Sequence, residues 1–210
     1  MDISSAQQFA QNKFVVVKNL VSRARCAELA ANLVTVIAQQ RTRSDPQCPL
    51  SQGIYGDPVF TQFMVELVPD IETAIDKKIY PTYSYARLYQ PGEELKAHFD
   101  RVATQIGVTI TLDLDGVVWP ICMADDDATR TAEKKSGHRD AEYWPIRVQA
   151  INIDIGDALI YNGNEKLHWR DPYTQGQSQS QLILSYVDQH GPHAEWRYDK
   201  RPQYFEFDQG

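Results

Sequence analysis

Residues 106–114, "IGVTITLDL", constrain the fold more than any other stretch of the chain. In an extended strand successive side chains point to opposite faces. Ile106, Val108, Ile110, Leu112 and Leu114 therefore share one face, and Gly107, Thr109, Thr111 and Asp113 share the other. The first face needs an apolar layer to cover it. The second carries small polar groups, as the wall of a hydrated cavity would. A sheet covered on one side and facing a wet interior on the other is what this pattern asks for.

The rest of the chain supplies the cover and the remaining walls. "FVVV" at 14–17 reads as a short strand, and Ser22 is placed to cap a helix behind it. Cys26, Leu29, Ala30, Leu33, Val34 and Ile37 follow at helical spacing and predict one buried face. Pro46, Pro49, Gly53 and Gly56 predict a loop over 41–56, and a second helix is expected over about 58–78. From residue 81 the character is that of strands. Tyr83, Tyr85, Arg87 and Tyr89 alternate with smaller residues, and 146–155, 157–161 and 182–187 read as further strands. The charged stretch 124–140 reads as a loop. Helices first and many short strands afterwards indicate α+β: a β-sandwich or barrel with N-terminal helices packed on one sheet. Its length of 210 residues suits a single domain. About 1–80 would form the helical support layer and about 81–190 the β core.

Charge and cysteine usage narrow the partners. A net charge of −7 and a pI near 5.2, with no Lys/Arg-rich block, argue against a nucleic-acid partner. No apolar run approaches the length of a membrane span, and the N-terminal residues lack the apolar core of a secretion signal. Cys26, Cys48 and Cys122 are too few and too scattered for a disulfide framework, so a cytoplasmic, reducing compartment is expected.

The residues that carry chemistry lie in "YARLYQPGEELKAHFDR", 85–101, and "LHWRDP", 167–172. His98 and Asp100, two apart on an extended segment, project to one side, with Phe99 on the other. An imidazole and a carboxylate so placed can share one metal ion, and His168 supplies a second imidazole from another strand. Two His and one carboxylate leave the remaining coordination positions open, the arrangement that suits non-haem Fe(II) and its O₂ chemistry. The other His residues fit less well. His190 and His193 flank a Gly-Pro turn, and His138 sits in the charged loop. Asp125, Asp126 and Asp127 lack the Gly and terminal Glu of a calcium loop.

In these motifs the chain resembles the prolyl-4-hydroxylase-like branch of the Fe(II)/2-oxoglutarate-dependent oxygenases. "FVVVKNLVSRARCAEL" is similar to the strand-then-helix opening of that branch. "YARLYQPGEELKAHFDR" resembles its strand, turn and first ligand pair, and "GDALIYNGNEKLHWRDP" its second-His segment. The resemblance implies a double-stranded β-helix, a jelly-roll or cupin-like barrel with iron near one open end. It implies His98, Asp100 and His168 as iron ligands, 2-oxoglutarate and O₂ as co-substrates, and ascorbate as an optional reductant. Tyr89 and Thr111 would face 2-oxoglutarate. The implied reaction hydroxylates a C–H bond and releases succinate and CO₂, and the carboxylate at 100 favours hydroxylation over halogenation. A small molecule or amino acid is the first expectation for the substrate, and a peptide side chain the second.

One departure matters. The branch carries a basic residue downstream of the second His, to pair with the distal carboxylate of 2-oxoglutarate. Here 174–185 read "TQGQSQSQLILS", and Gln181 stands nearest that position. An amide donates hydrogen bonds but carries no charge, and a buried carboxylate without a cation is costly. Two arginines are candidates for the missing charge. Arg170 lies two residues beyond His168, roughly 6.6 Å along an extended strand, and is preferred. Arg87 lies two before Tyr89. Arg101, beside Asp100, is a candidate for orienting that carboxylate, and Trp119 and Trp169 read first as packing residues. Two other readings stay open: an iron oxygenase that does without 2-oxoglutarate, and a non-catalytic binding or scaffold protein of the same fold.

Overall fold

In a computed structural model, which describes residues 3–124 and 148–202, the helices come first. α1 (Ser5–Asn12) opens with a capping box on Ser4, and β1 (Phe14–Val17) follows. α2 (Arg23–Ala38) starts where expected: the Ser22 side chain accepts from the Arg25 amide. Its buried stripe is Cys26, Leu29, Ala30, Leu33 and Val36, whereas Val34 is 60% exposed. At about 100° per residue, Val34 falls just outside the arc those five residues define.

Two expectations are corrected in the next segment. Residues 41–56 form a hairpin, β2 (Arg43–Asp45) and β3 (Cys48–Tyr55), rather than a loop. Its register comes from a distant partner: Gln52, Gly53, Ile54 and Tyr55 pair with Leu88, Arg87, Ala86 and Tyr85. Gly53 is part of the fit, because a Cβ there would sit 2.1 Å from the Tyr85 hydroxyl. The single helix over 58–78 is two, α3 (Pro58–Glu66) and α4 (Val68–Ile75). Pro69, with no amide hydrogen, sits in the first turn of α4, where none is needed.

Seven further strands complete the β core with β4 (Ile79–Tyr89): β5 (Leu95–His98), β6 (Ile106–Gly116), β7 (Ile121–Ala124), β8 (Val148–Ile151), β9 (Ala158–Tyr161), β10 (His168–Arg170) and β11 (Gly176–Asp188). Among the described residues they form two antiparallel sheets. The larger runs β1-β9-β6-β11-β4-β3-β2 and the smaller β5-β10-β7-β8. Two facing sheets with helices on the larger one make a double-stranded β-helix. β11 begins earlier than the 182–187 its apolar residues suggested. The Gln- and Ser-rich start is poor in strand formers, yet it is held as a central strand between β4 and β6. The charged stretch from residue 125 to 140, including Asp125, Asp126, Asp127 and His138, lies outside the described residues.

The alternation in β6 decides what is inside the barrel. Ile106, Val108, Ile110 and Leu112 join one apolar core with Leu29 and Leu33 of α2 and Phe60 and Met64 of α3. That core seals the outer face of the larger sheet and leaves Thr109 and Thr111 on the inner face. Nearly all of the core side chains are fully buried, and each contributes on the order of 1.5–3 kcal/mol by leaving water. The sheet is therefore a rigid wall against which a cavity can be shaped.

Candidate metal centre and co-substrate cavity

The antiparallel pairing of β5 and β10 makes His98 and His168 direct cross-strand partners. Asp100 follows β5 by one turn of pleat and completes a cluster. His98 Nε2 lies 3.5 Å from Asp100 Oδ1, and His168 Nε2 lies 3.7 Å from Oδ2. One ligand atom from each of the three residues falls within 4.8 Å of the others.

Both imidazoles are oriented in the same way. His98 Nδ1 is 2.8 Å from the Lys96 carbonyl, and His168 Nδ1 is 2.9 Å from the Lys166 carbonyl. A carbonyl only accepts, so each Nδ1 carries the proton and donates it. In the neutral rings each Nε2 is left as a lone pair facing Asp100. This is how metal-ligating histidines are held. Burial and the neighbouring His98 push the His168 pKa down to about 4, so it is neutral at ordinary pH. His98 is displaced upward: burial opposes its charge, but Asp100 outweighs burial. Burial alone would raise Asp100. His168, His98 and the Tyr161 hydroxyl together overcome it and keep the carboxyl below its usual range. Asp100 Oδ2 is buried with no hydrogen-bond partner. A neutral His168, the His98 imidazole beside it, an ionised carboxylate and an orphaned oxygen fit a divalent cation, and two imidazoles with one carboxylate and an open side fit Fe(II).

The cluster borders a cavity of about 230 Å³ between the two sheets. Tyr89, Arg87 and Arg170 line it, as the sequence suggested. Tyr89 is 3% exposed, and its hydroxyl accepts from Arg87 Nη1 at 3.3 Å. Arg87 also donates to Tyr85 Oη at 3.3 Å and approaches Cys48 Sγ at 3.0 Å. Arg170 is 2% exposed and donates through Nη1 to the Trp119 carbonyl, with its guanidinium over the Trp119 ring. Its Nη2 is buried with no hydrogen-bond partner. Burial lowers the Arg170 pKa, and the groups acting on it are tyrosines and cysteines rather than a carboxylate.

Thr111 and Gln181 stand elsewhere. Thr111 donates to the Ile153 carbonyl at 2.8 Å and to Gln181 Oε1 at 3.3 Å, and neither residue lines the cavity. Gln181 spends its amide on Thr109 Oγ1 at 2.7 Å and accepts from Gln179 at 2.9 Å. Thr109, one pleat before Thr111, is the β6 threonine that lines the cavity. Gln181 is nonetheless the cross-strand partner of Arg87. A cation on β4 thus stands beside the position where the resemblance led one to expect a cation on β11. Arg101 does not orient Asp100. It donates to Asp199 Oδ1 at 2.6 Å and lies over the Tyr83 ring. Trp119 is packed between Tyr89 and Tyr173, and Trp169 is buried beside Cys122 and Leu167.

Sequence reasoning passed over Tyr161. It ends β9, lines the cavity, and sets its ring edge-on to His168 at 4.8 Å. Its only sequence signal was a tyrosine closing an otherwise aliphatic strand.

No family model and no curated protein matches the sequence. Solved structures do match the fold. The non-haem, α-ketoglutarate-dependent carbocyclase SnoK of nogalamycin biosynthesis superposes with a TM-score of 0.73 at 12% identity, over 90% of this chain and 84% of that one. A prolyl-4-hydroxylase from Pseudomonas putida gives 0.64 at 14%, over 88% and 97%. HygX from Streptomyces hygroscopicus, with nickel, 2-oxoglutarate and hygromycin B bound, gives 0.67 at 10%, over 90% and 88%. The chain has the double-stranded β-helix fold of 2-oxoglutarate-dependent oxygenases.

Proposed function

We propose that the protein is an Fe(II)- and 2-oxoglutarate-dependent oxygenase that hydroxylates a C–H bond of a small molecule or an amino-acid side chain and releases succinate and CO₂. The observation that carries this reading is Arg170. A guanidinium buried without a carboxylate, with one nitrogen unpartnered, borders the same cavity as the His98–Asp100–His168 cluster. Burying such a group is costly unless an anion joins it, and 2-oxoglutarate brings one.

His98, Asp100 and His168 would hold the iron, which when bound supplies the oxidative decarboxylation of 2-oxoglutarate and the activation of O₂. The chain's share is geometry. Two fixed imidazoles and one carboxylate leave coordination positions free. Arg170 receives the distal carboxylate, and Tyr89 and Arg87 line the wall beside it. The aromatic and aliphatic lining limits water and holds a substrate C–H near the metal. The three cysteines are buried and none is in a disulfide, which suits a reducing compartment such as the cytoplasm, and no helix among the described residues is long and apolar enough to cross a membrane.

An anaerobic titration tests the proposal. Fe(II) plus 2-oxoglutarate should give a weak visible charge-transfer band. Under O₂, succinate should form with the wild type and not with His98→Ala or Asp100→Ala. The uncharged Gln181 favours one second reading, an iron oxygenase that does without 2-oxoglutarate. Iron binding with no such band would select it, and no iron binding at all would select a scaffold role.

A further inference from the structure

Gln181, where the resemblance placed a cation, belongs with Gln179 to a hydrogen-bonded chain that runs in one direction. It starts at a backbone amide, which can only donate: the Trp119 N–H gives its proton to Gln179 Oε1 at 3.0 Å. That fixes which way the Gln179 amide lies, and its Nε2 donates to Gln181 Oε1 at 2.9 Å. Gln181 is fixed in turn. Its Oε1 also accepts from Thr111 at 3.3 Å, and its Nε2 donates to Thr109 Oγ1 at 2.7 Å. Gln179, Gln181, Thr111 and Thr109 are all buried, so water does not compete for these bonds.

The chain ends at Thr109, which lines the cavity. A hydroxyl carries one proton. Gln181 already donates to Oγ1, and among the described residues nothing accepts the Thr109 proton. Arg170 is tied to the other end of the same chain. Its Nη1 donates to the Trp119 carbonyl, and its Nη2 has no protein acceptor. Thr109 on the larger sheet and Arg170 on the smaller therefore border one cavity, each with a donor to spare, and both are held through Trp119. An occupant that meets both must offer acceptors, and a carboxylate offers the most. We propose that Gln181 is a positioning residue: it makes no contact with 2-oxoglutarate, but it sets the Thr109 hydroxyl as a donor that shares the distal carboxylate with Arg170. The proposal rests on the function put forward above.

The test uses the full chain loaded with Ni(II) and reads 2-oxoglutarate binding by calorimetry rather than turnover. Thr109→Val keeps the shape and removes the hydroxyl, and it should weaken binding by about 10- to 100-fold, as for a hydrogen bond to a charged group. Thr109→Ser keeps the hydroxyl and should bind like the wild type. Gln181→Leu should weaken binding by about 3- to 10-fold, because the hydroxyl is then free to turn away. In a Thr109→Val background, Gln181→Leu should cost nothing more, since the amide acts only through the hydroxyl. A merely structural role would not produce that loss of effect. Wild-type affinity in Thr109→Val or in Gln181→Leu would overturn the proposal, as would an equal cost of Gln181→Leu in both backgrounds. Arg170→Met is the control. If the wild-type Ni(II) protein does not bind 2-oxoglutarate, the function put forward above fails and the proposal falls with it. If Arg170→Met weakens binding while Thr109→Val does not, only the roles of Thr109 and Gln181 fail.

Discussion

Gly163 backs Asp100 so closely that no side chain fits between them: a Cβ would stand 2.4 Å from Oδ2 and 2.6 Å from the Thr104 carbonyl. The second obstacle is backbone and cannot swing aside. Gly163→Ala should therefore displace the carboxylate or the loop. We expect a stability loss of about 1–3 kcal/mol, typical of overpacking, and Ni(II) affinity at least about 10-fold weaker. A thermal melt and a metal titration on one preparation check both.

Arg170 separates stability from binding. Its buried Nη2 makes no hydrogen bond, so the guanidinium costs the empty protein free energy. Arg170→Met keeps the length and removes the charge. The variant should melt no lower than the wild type without 2-oxoglutarate, yet bind it at least about 30-fold more weakly, as when one member of a buried charge pair is lost. Arg87→Ala shows whether the cation beside Gln181 shares the task. If neither variant moves the 2-oxoglutarate KM, the co-substrate assignment is sunk.

Asp157 links β9 to the N-terminal strand. Its carboxylate accepts from Lys18 Nζ at 2.6 Å and from the Asn19 amide at 2.9 Å. Burial would raise its pKa, but Lys18 and the backbone amides outweigh burial and lower it. A lowered folded-state pKa stabilises the protein above the unfolded value of about 3.9. That contribution is lost as pH falls through the folded value. Asp157→Asn should cost about 1–3 kcal/mol at neutral pH, and its deficit relative to the wild type should shrink below about pH 4. Denaturant melts at both pH values measure it.

Asp199 pins the segment Ala194–Lys200. It accepts from Arg101 and from the Tyr55 hydroxyl, while Tyr198, Asp199 and Lys200 all hold left-handed backbone, at φ of 55°, 51° and 57°. Such residues persist only where surrounding contacts hold them. Asp199→Ala should speed amide hydrogen exchange across 194–202 and leave Ni(II) affinity unchanged. Slow exchange there in the variant would show that the pin lies elsewhere.

The sequence showed what depends on local period. The two faces of β6, the cap at Ser22 and the HxD pair all follow from spacing, and so did the choice of arginines worth testing. What it hid depends on partners far along the chain. Thr109 and Thr111 share a face, and only depth in the barrel separates the one that meets the cavity from the one tied to Ile153. The hairpin of β2 and β3 exists because β4 pairs with it, against the local prolines. Arg101 is taken up by Asp199, a carboxylate 98 residues downstream that no local spacing could reveal.

The pairing of His98 with His168 has a consequence for folding. β5 and β10 share only two registered pairs, His98 with His168 and Leu95 with Arg170, with an irregularity between them. Few backbone bonds thus fasten these strands, and one of the two pairs would also bind metal. A bound ion would act as a clasp, tying two segments that meet late in any chain dominated by long-range contacts. Metal supply would then govern the order of the smaller sheet as well as catalysis, and the apo protein would open there first.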